Sequence, residues 1–183
     1  PMCGSVFLAP TSQKQNQEEC FFTFEVKFLI KNAMVAAVYA ALTLALAPIS
    51  YGMMQVRVSE FMTLLAFVDS KYVPGLVLGC FLANIGSPLG AVDMAAGTFA
   101  TFLAVYGMRF CPNIYVASLL PTLSNGLIIA IELQFLELLP AGTALYAAMA
   151  YIAVGEFISV SVVGVILTKL LLKNQRLQSF LLH

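Results

Sequence analysis

The chain has 183 residues, of which 61% are hydrophobic and only 10% charged, with a formal net charge of zero. Soluble domains average about 25% charged residues, and one of this size has too little interior to hide so much apolar surface. Lipid is therefore the expected solvent, in line with a mean hydropathy of +0.93, and the balanced charge leaves no basic footprint for nucleic acid.

Residues 1–26 differ from the rest. They hold the polar run from Thr11 to Glu19 and lack the order of basic, apolar and small residues that marks a signal peptide. They read as a weakly ordered extension, followed by a membrane domain over residues 27–176 and a tail over 177–183.

A helix crosses the hydrocarbon core with about 20 residues. The apolar segments lie at 28–50, 58–68, 72–87, 91–110, 114–139 and 143–172. Pro48 and Gly52 end the first, and Asp69-Ser70-Lys71 is a charged turn after the second. Ser87-Pro88-Leu89-Gly90, Cys111-Pro112-Asn113 and Pro140-Ala141-Gly142 break the later ones, because Pro fixes φ and Gly frees it. The predicted fold is an all-α integral membrane bundle of six transmembrane helices. The second and third segments are short, so a re-entrant hairpin with four full crossings is the alternative. With six spans, Lys27, Lys31, Lys71, Arg109, Lys169, Lys173 and Arg176 fall on one side and only Arg57 on the other. The positive-inside rule then places both ends in the cytoplasm.

Cys3, Cys20, Cys80 and Cys111 form no CxxC pair, and the one histidine is His183. No metal centre or cofactor is expected. An intramembrane enzyme is disfavoured too, since Ser87 and Asp93 have no base to link them.

Ala33, Ala37, Ala41 and Ala45 recur every four residues along the first span. Such a stripe lets another helix approach closely in lipid. It suits either a contact inside the bundle or a docking face for a separate membrane partner.

Ionisable groups within the bilayer usually face a cavity or a partner. Here they are Arg57, Glu60, Asp93, Glu132 and Glu156. Glu156 lies deepest, about 20 Å of helix rise from the start of the last span. A protonated glutamate bonded to a carbonyl is the plainer alternative for it. Asn125 and Glu132, seven apart, share one face of the fifth span, and Asn84 and Asp93 flank the third break. Arg57 and Glu60, three apart, suit a local salt bridge at a helix start as well as a site. Together these groups outline a polar pocket open outward. Several carboxylates and amides around one cation favour a neutral or positive ligand rich in donors, such as a guanine-like edge plus an amine.

The runs Gln55-Val56-Arg57-Val58-Ser59-Glu60, Pro74-Gly75-Leu76-Val77-Leu78-Gly79-Cys80 and Asn84-Ile85-Gly86-Ser87-Pro88-Leu89-Gly90-Ala91-Val92-Asp93, with Gly155-Glu156, resemble the QueT-type queuosine-precursor transporters. These are substrate-binding (S) components of bacterial energy-coupling-factor (ECF) uptake systems. The likeness runs from about Lys27 to Lys173. It implies the six-helix S-component fold, a ligand such as 7-aminomethyl-7-deazaguanine, and as partners a transmembrane scaffold and two cytoplasmic ATPases. No Walker A loop occurs in this chain, so ATP hydrolysis falls to another subunit. Under this resemblance the alanine stripe becomes the scaffold-docking face. Glu156 accepts from the base edge or the amine, and Glu132 or Glu60 takes the other. Asn84, Asn125 and Ser87 orient the ligand, and Arg57 holds Glu60 or the outer loop. Tyr51 stacks on the base or marks the membrane interface. The competing readings are a solitary proton-coupled transporter using Glu156, an S component for a different vitamin-like solute, and a structural assembly subunit.

Overall fold

The computed structural model describes residues 10–50, 57–139, 142, 144–175 and 178, with side chains from residue 25 onward. Among the described residues all regular structure is helical. Helix α1 runs over Pro10–Ala45, followed by a single turn at Ala47–Ser50. Helix α2 covers Val58–Val68, as 3-10 helix over Val58–Leu64 and α-helix over Leu65–Val68. Helix α3 is Val73–Asn84, α4 is Ala91–Gly107 and α5 is Ile114–Phe135. Helix α6 is Leu145–Lys173, with a π-helical middle over Phe157–Gly164.

The expected apolar segments thus each form a helix. Four helices are long and apolar enough to cross a membrane, namely Glu25–Ala45, Ala91–Phe110, Ile114–Phe135 and Leu145–Lys173. Large apolar side chains such as Leu29, Phe99, Leu123, Phe135 and Leu170 stand exposed on their outer faces. This is the surface of a multi-pass membrane protein, for which lipid tails are the solvent.

Two features go beyond the sequence reading. The first helix is continuous from Pro10 across residue 26. The polar run is rich in Gln, Glu and Lys, which are good helix formers, and Pro10 stands at the first helical position, where its missing N–H is harmless. The second concerns α2. Three-ten geometry rises about 2.0 Å per residue, so its 11 residues reach about 20 Å, short of the ~30 Å hydrocarbon core. Ser59, Glu60, Met62, Thr63, Leu64, Leu65 and Ala66 are all buried, and α2 packs against α1, α4, α5 and α6. A helix covered on so many sides is a core element, so α2 is the axis around which the longer helices pack.

Helix starts follow local chemistry. Asn113 Oδ1 accepts from Val116 N at 2.9 Å and caps α5. Asp69 Oδ1 accepts from Lys71 N at 2.9 Å in the turn before α3. Gly90, at φ 65°, opens α4 in a conformation that favours glycine.

Close approach between α1 and α3 depends on two glycines. A Cβ on Gly75 would sit 2.7 Å from the Asn32 carbonyl oxygen, and one on Gly79 would sit 2.9 Å from Tyr39 Cβ. Gly75 N also donates to Asn32 Oδ1 at 2.7 Å. Small residues four apart let membrane helices pack backbone to backbone. Asn32, Ala36, Tyr39, Ala40 and Thr43 therefore form the inner face of α1, while Ala33, Ala37, Ala41 and Ala45 are exposed. The alanine stripe is thus not a contact inside this bundle.

The π segment has a comparable role in α6. Ile152, Glu156, Val160, Gly164 and Thr168, four apart, are all buried. In a regular α-helix each four-residue step overshoots a full turn by about 40°, so this row would wind off the core. The wider π turn cancels that drift and keeps the row facing α2, where Gly164 meets Phe61 and Leu64.

Candidate functional site

Polar side chains from every helix converge inside the bundle. Arg57, Glu60, Asn84, Asp93, Asn125, Glu132 and Glu156 are all at most 4% exposed. The sequence reading singled out each of them, and the fold buries them together.

One side of this cluster is built by α1 to α4. Arg57 precedes the 3-10 turn of α2 and reaches Asp93 in the first turn of α4, with Nη2 to Oδ1 at 3.2 Å. Arg57 thus forms an ion pair with a residue 36 positions away. Glu60, one 3-10 turn further on, turns its carboxylate toward hydroxyls of α1 and α4. There Glu60 Oε1 accepts from the Tyr39 hydroxyl and, at 3.4 Å, from Thr101 Oγ1. Thr63 Oγ1 donates to the Glu60 carbonyl at 2.6 Å, and the Thr43 and Ser59 hydroxyls meet at 2.6 Å. Asn84 Nδ2 donates to the Asp93 carbonyl at 3.3 Å and approaches Cys80 Sγ at 3.5 Å. This crowding requires Gly97, where a Cβ would sit 2.5 Å from Asn84 Nδ2 and 3.3 Å from Arg57 Nη1.

The other side is built by α5 and α6. Asn125 and Glu132 lie on the buried face of α5, and Glu156 stands near the middle of α6, just before the π turn. The Asn125 amide lies beside Glu156 without a hydrogen bond of good geometry to it. Glu156 is within electrostatic range of Glu60 and Arg57, and Glu132 within range of Asp93 and Arg57. The two sides therefore make one buried cluster that holds four carboxyl groups and one guanidinium.

Several of these atoms have no hydrogen-bond partner. They include Glu60 Oε2, Asn84 Oδ1, Asp93 Oδ2, Asn125 Oδ1 and Nδ2, both carboxylate oxygens of Glu132, Glu156 Oε2 and Ser159 Oγ. Burying a polar group without a partner costs on the order of 1–3 kcal/mol, so such a concentration calls for partners other than the cluster's own side chains. Apart from the serine hydroxyl and Asn125 Nδ2, these atoms can only accept while the acids are ionised. The arrangement is suited to a molecule that brings donors and positive charge.

Two expected site residues stand apart. Ser87 is buried, but its Oγ accepts from Leu89 N at 3.2 Å and shapes the turn before α4. Tyr51 lies outside the described residues. Conversely, Tyr39, Thr101, Cys80 and Ser159 belong to the cluster and were not singled out from sequence. Tyr39 did carry a signal, since with Asn32 and Thr43 it forms a polar row opposite the alanine stripe. A tyrosine or threonine in an apolar span is otherwise too ordinary to stand out. Cys80 is fully buried at the edge of the cluster, 3.2 Å from Thr101 Oγ1.

Comparison with known proteins agrees with the picture of a transporter. The chain is 38% identical over 77 residues to the queuosine precursor transporter QueT of Lactococcus lactis subsp. cremoris (strain MG1363). That stretch covers 41% of this chain and 45% of the relative, so the match spans less than half of the relative's length. No solved structure matches the chain. The QueT transporter family profile matches residues 29–173, which takes in α1 from residue 29, the other five helices and every charged residue of the buried cluster, and the chain belongs to that family.

Proposed function

We propose that this protein is the membrane-embedded receptor of an ATP-driven uptake system, capturing a queuosine precursor of the 7-aminomethyl-7-deazaguanine type from outside the bacterial cell. The observation that carries this reading is the buried set of unpartnered acceptors around a single arginine. A guanine-like edge presents parallel N–H donors that a carboxylate accepts in pairs, and an aminomethyl group supplies a cation that offsets the excess of carboxylates. The name of the Lactococcus relative supports the same ligand class. Glu156 with Asn125 is placed to take the base edge, and Asn84 and Glu132 to fix its orientation. Arg57 holds Asp93 in place, Ser87 shapes the turn leading into α4, and Tyr51 covers or stacks on the base.

In this reading all six helices belong to an ECF S-component fold in a bacterial plasma membrane, with α2 as the buried axis and both termini cytoplasmic. The exposed alanine stripe of α1 docks a transmembrane scaffold that carries two cytoplasmic ATPases. Support comes from the four small side chains lying on the outer face of α1, opposite Tyr39 and Thr43.

Uptake of labelled 7-aminomethyl-7-deazaguanine into cells expressing this chain, with and without an ECF scaffold and its ATPases, tests the proposal. Uptake that needs those subunits and survives collapse of the proton gradient supports it. Uptake by the chain alone that stops with the gradient favours a solitary proton-coupled transporter using Glu156.

A further inference from the structure

Glu60 is unlike the other carboxylates of the cluster. Its Oε1 receives two hydroxyl donors, Tyr39 from α1 and Thr101 from α4, while its Oε2 has none. Glu132, by contrast, has no partner on either oxygen. The hydroxyls come from two different helices packed against α2 and are themselves held in place. Tyr39 is 1% exposed and its Cβ lies where Gly79 leaves room for it. Thr101 is fully buried and also touches Cys80 Sγ at 3.2 Å. Rigid donors on one carboxylate oxygen set the rotation of the whole group and aim the other oxygen. Preorganisation of this kind raises affinity by removing the cost of ordering the acceptor on binding.

We propose that Tyr39 and Thr101 are positioning residues that clamp Glu60 Oε1, so that Oε2 becomes the dedicated acceptor for the ligand's ammonium group. This rests on the receptor reading above and assigns the amine to Glu60 rather than to Glu132. Neither Tyr39 nor Thr101 contacts the ligand in this assignment. Each acts through Glu60 alone, and its loss is felt only by a ligand that carries the cation.

The test is calorimetric titration of the full chain in detergent, as parent, Tyr39→Phe and Thr101→Val. The two ligands are 7-aminomethyl-7-deazaguanine and its neutral analogue 7-methyl-7-deazaguanine, the latter measured by displacement if it binds weakly. Tyr39→Phe is expected to weaken the cationic ligand about tenfold or more, as for loss of a hydrogen bond to a charged group, and to change the neutral one by less than about twofold. Thr101→Val, at the longer contact, is expected to give a smaller loss with the same selectivity. Equal losses for both ligands reveal a merely structural role and overturn the assignment, as does an unchanged affinity for the cationic ligand. A folded parent that binds neither compound refutes the receptor reading and this assignment together, which is a separate failure from the first two.

Discussion

The two sides of the buried cluster are composed alike and behave differently. On the α1–α4 side Arg57, Asp93, Glu60 and Asn84 each hold at least one partner from another helix. On the α5–α6 side Glu132 has none, and Glu156 keeps Oε2 unpartnered. The first side ties helices together through one atom of each group while leaving Glu60 Oε2, Asn84 Oδ1 and Asp93 Oδ2 unpartnered, and the second makes few ties at all. Breaking the Arg57–Asp93 pair on the first should therefore cost stability. Substitutions on the second should cost binding while sparing the ligand-free fold, a usual trade at functional sites.

The sharpest way to break this comparison is at the ion pair. Arg57→Met strands the Asp93 carboxylate in a dry interior and is expected to destabilise the protein by about 3–5 kcal/mol, read by thermal unfolding in detergent. A loss comparable to that of a surface ion pair would place Arg57 on the wrong side of the division. Next comes Glu156→Gln, which keeps the shape and replaces the unpartnered carboxyl oxygen with an amide. Its ligand-free melting temperature should stay level or rise, while affinity for 7-aminomethyl-7-deazaguanine falls about a hundredfold. Parent-like binding by this variant would remove Glu156 from the site.

A third substitution asks whether helix spacing supports the paired side. Gly79→Val forces contact with Tyr39 Cβ and with the Ala36 backbone at about 3 Å, and should cost about 1–3 kcal/mol through overpacking. The smallest effect on stability is expected on the opposite face of α1. Ala41→Leu, at an exposed position, should move stability by less than about 0.5 kcal/mol yet abolish co-purification with an ECF scaffold. Retained co-purification would show that the stripe is lipid-facing surface only.

Much of this organisation is legible in the sequence, and the limits have physical causes. The helices could be located because Pro48, Pro88, Pro112 and the glycines near them punctuate long apolar runs. The charged members of the cluster stood out because a charge in an apolar helix is costly and must be put to use. The pairing between them was not legible. Arg57 and Glu60 are neighbours in sequence, but across the 3-10 turn of α2 Arg57 pairs with Asp93 while Glu60 accepts from Tyr39 and Thr101. Neither that turn nor the π segment after Glu156 leaves a trace in composition, since both arise from how a row of side chains must meet a facing helix. Tyr39 and Thr101 went unnoticed for a related reason. Their significance lies wholly in sharing one carboxylate oxygen, a relation that appears only when three helices have packed.

The most direct measurement is calorimetric titration of the purified, folded chain with 7-aminomethyl-7-deazaguanine, guanine and thiamine, without ATP or any partner. The account predicts saturable binding of the aminomethyl deazaguanine, much weaker binding of guanine, which lacks the cation, and none of thiamine. Folded protein that binds none of the three, or thiamine best, would contradict it.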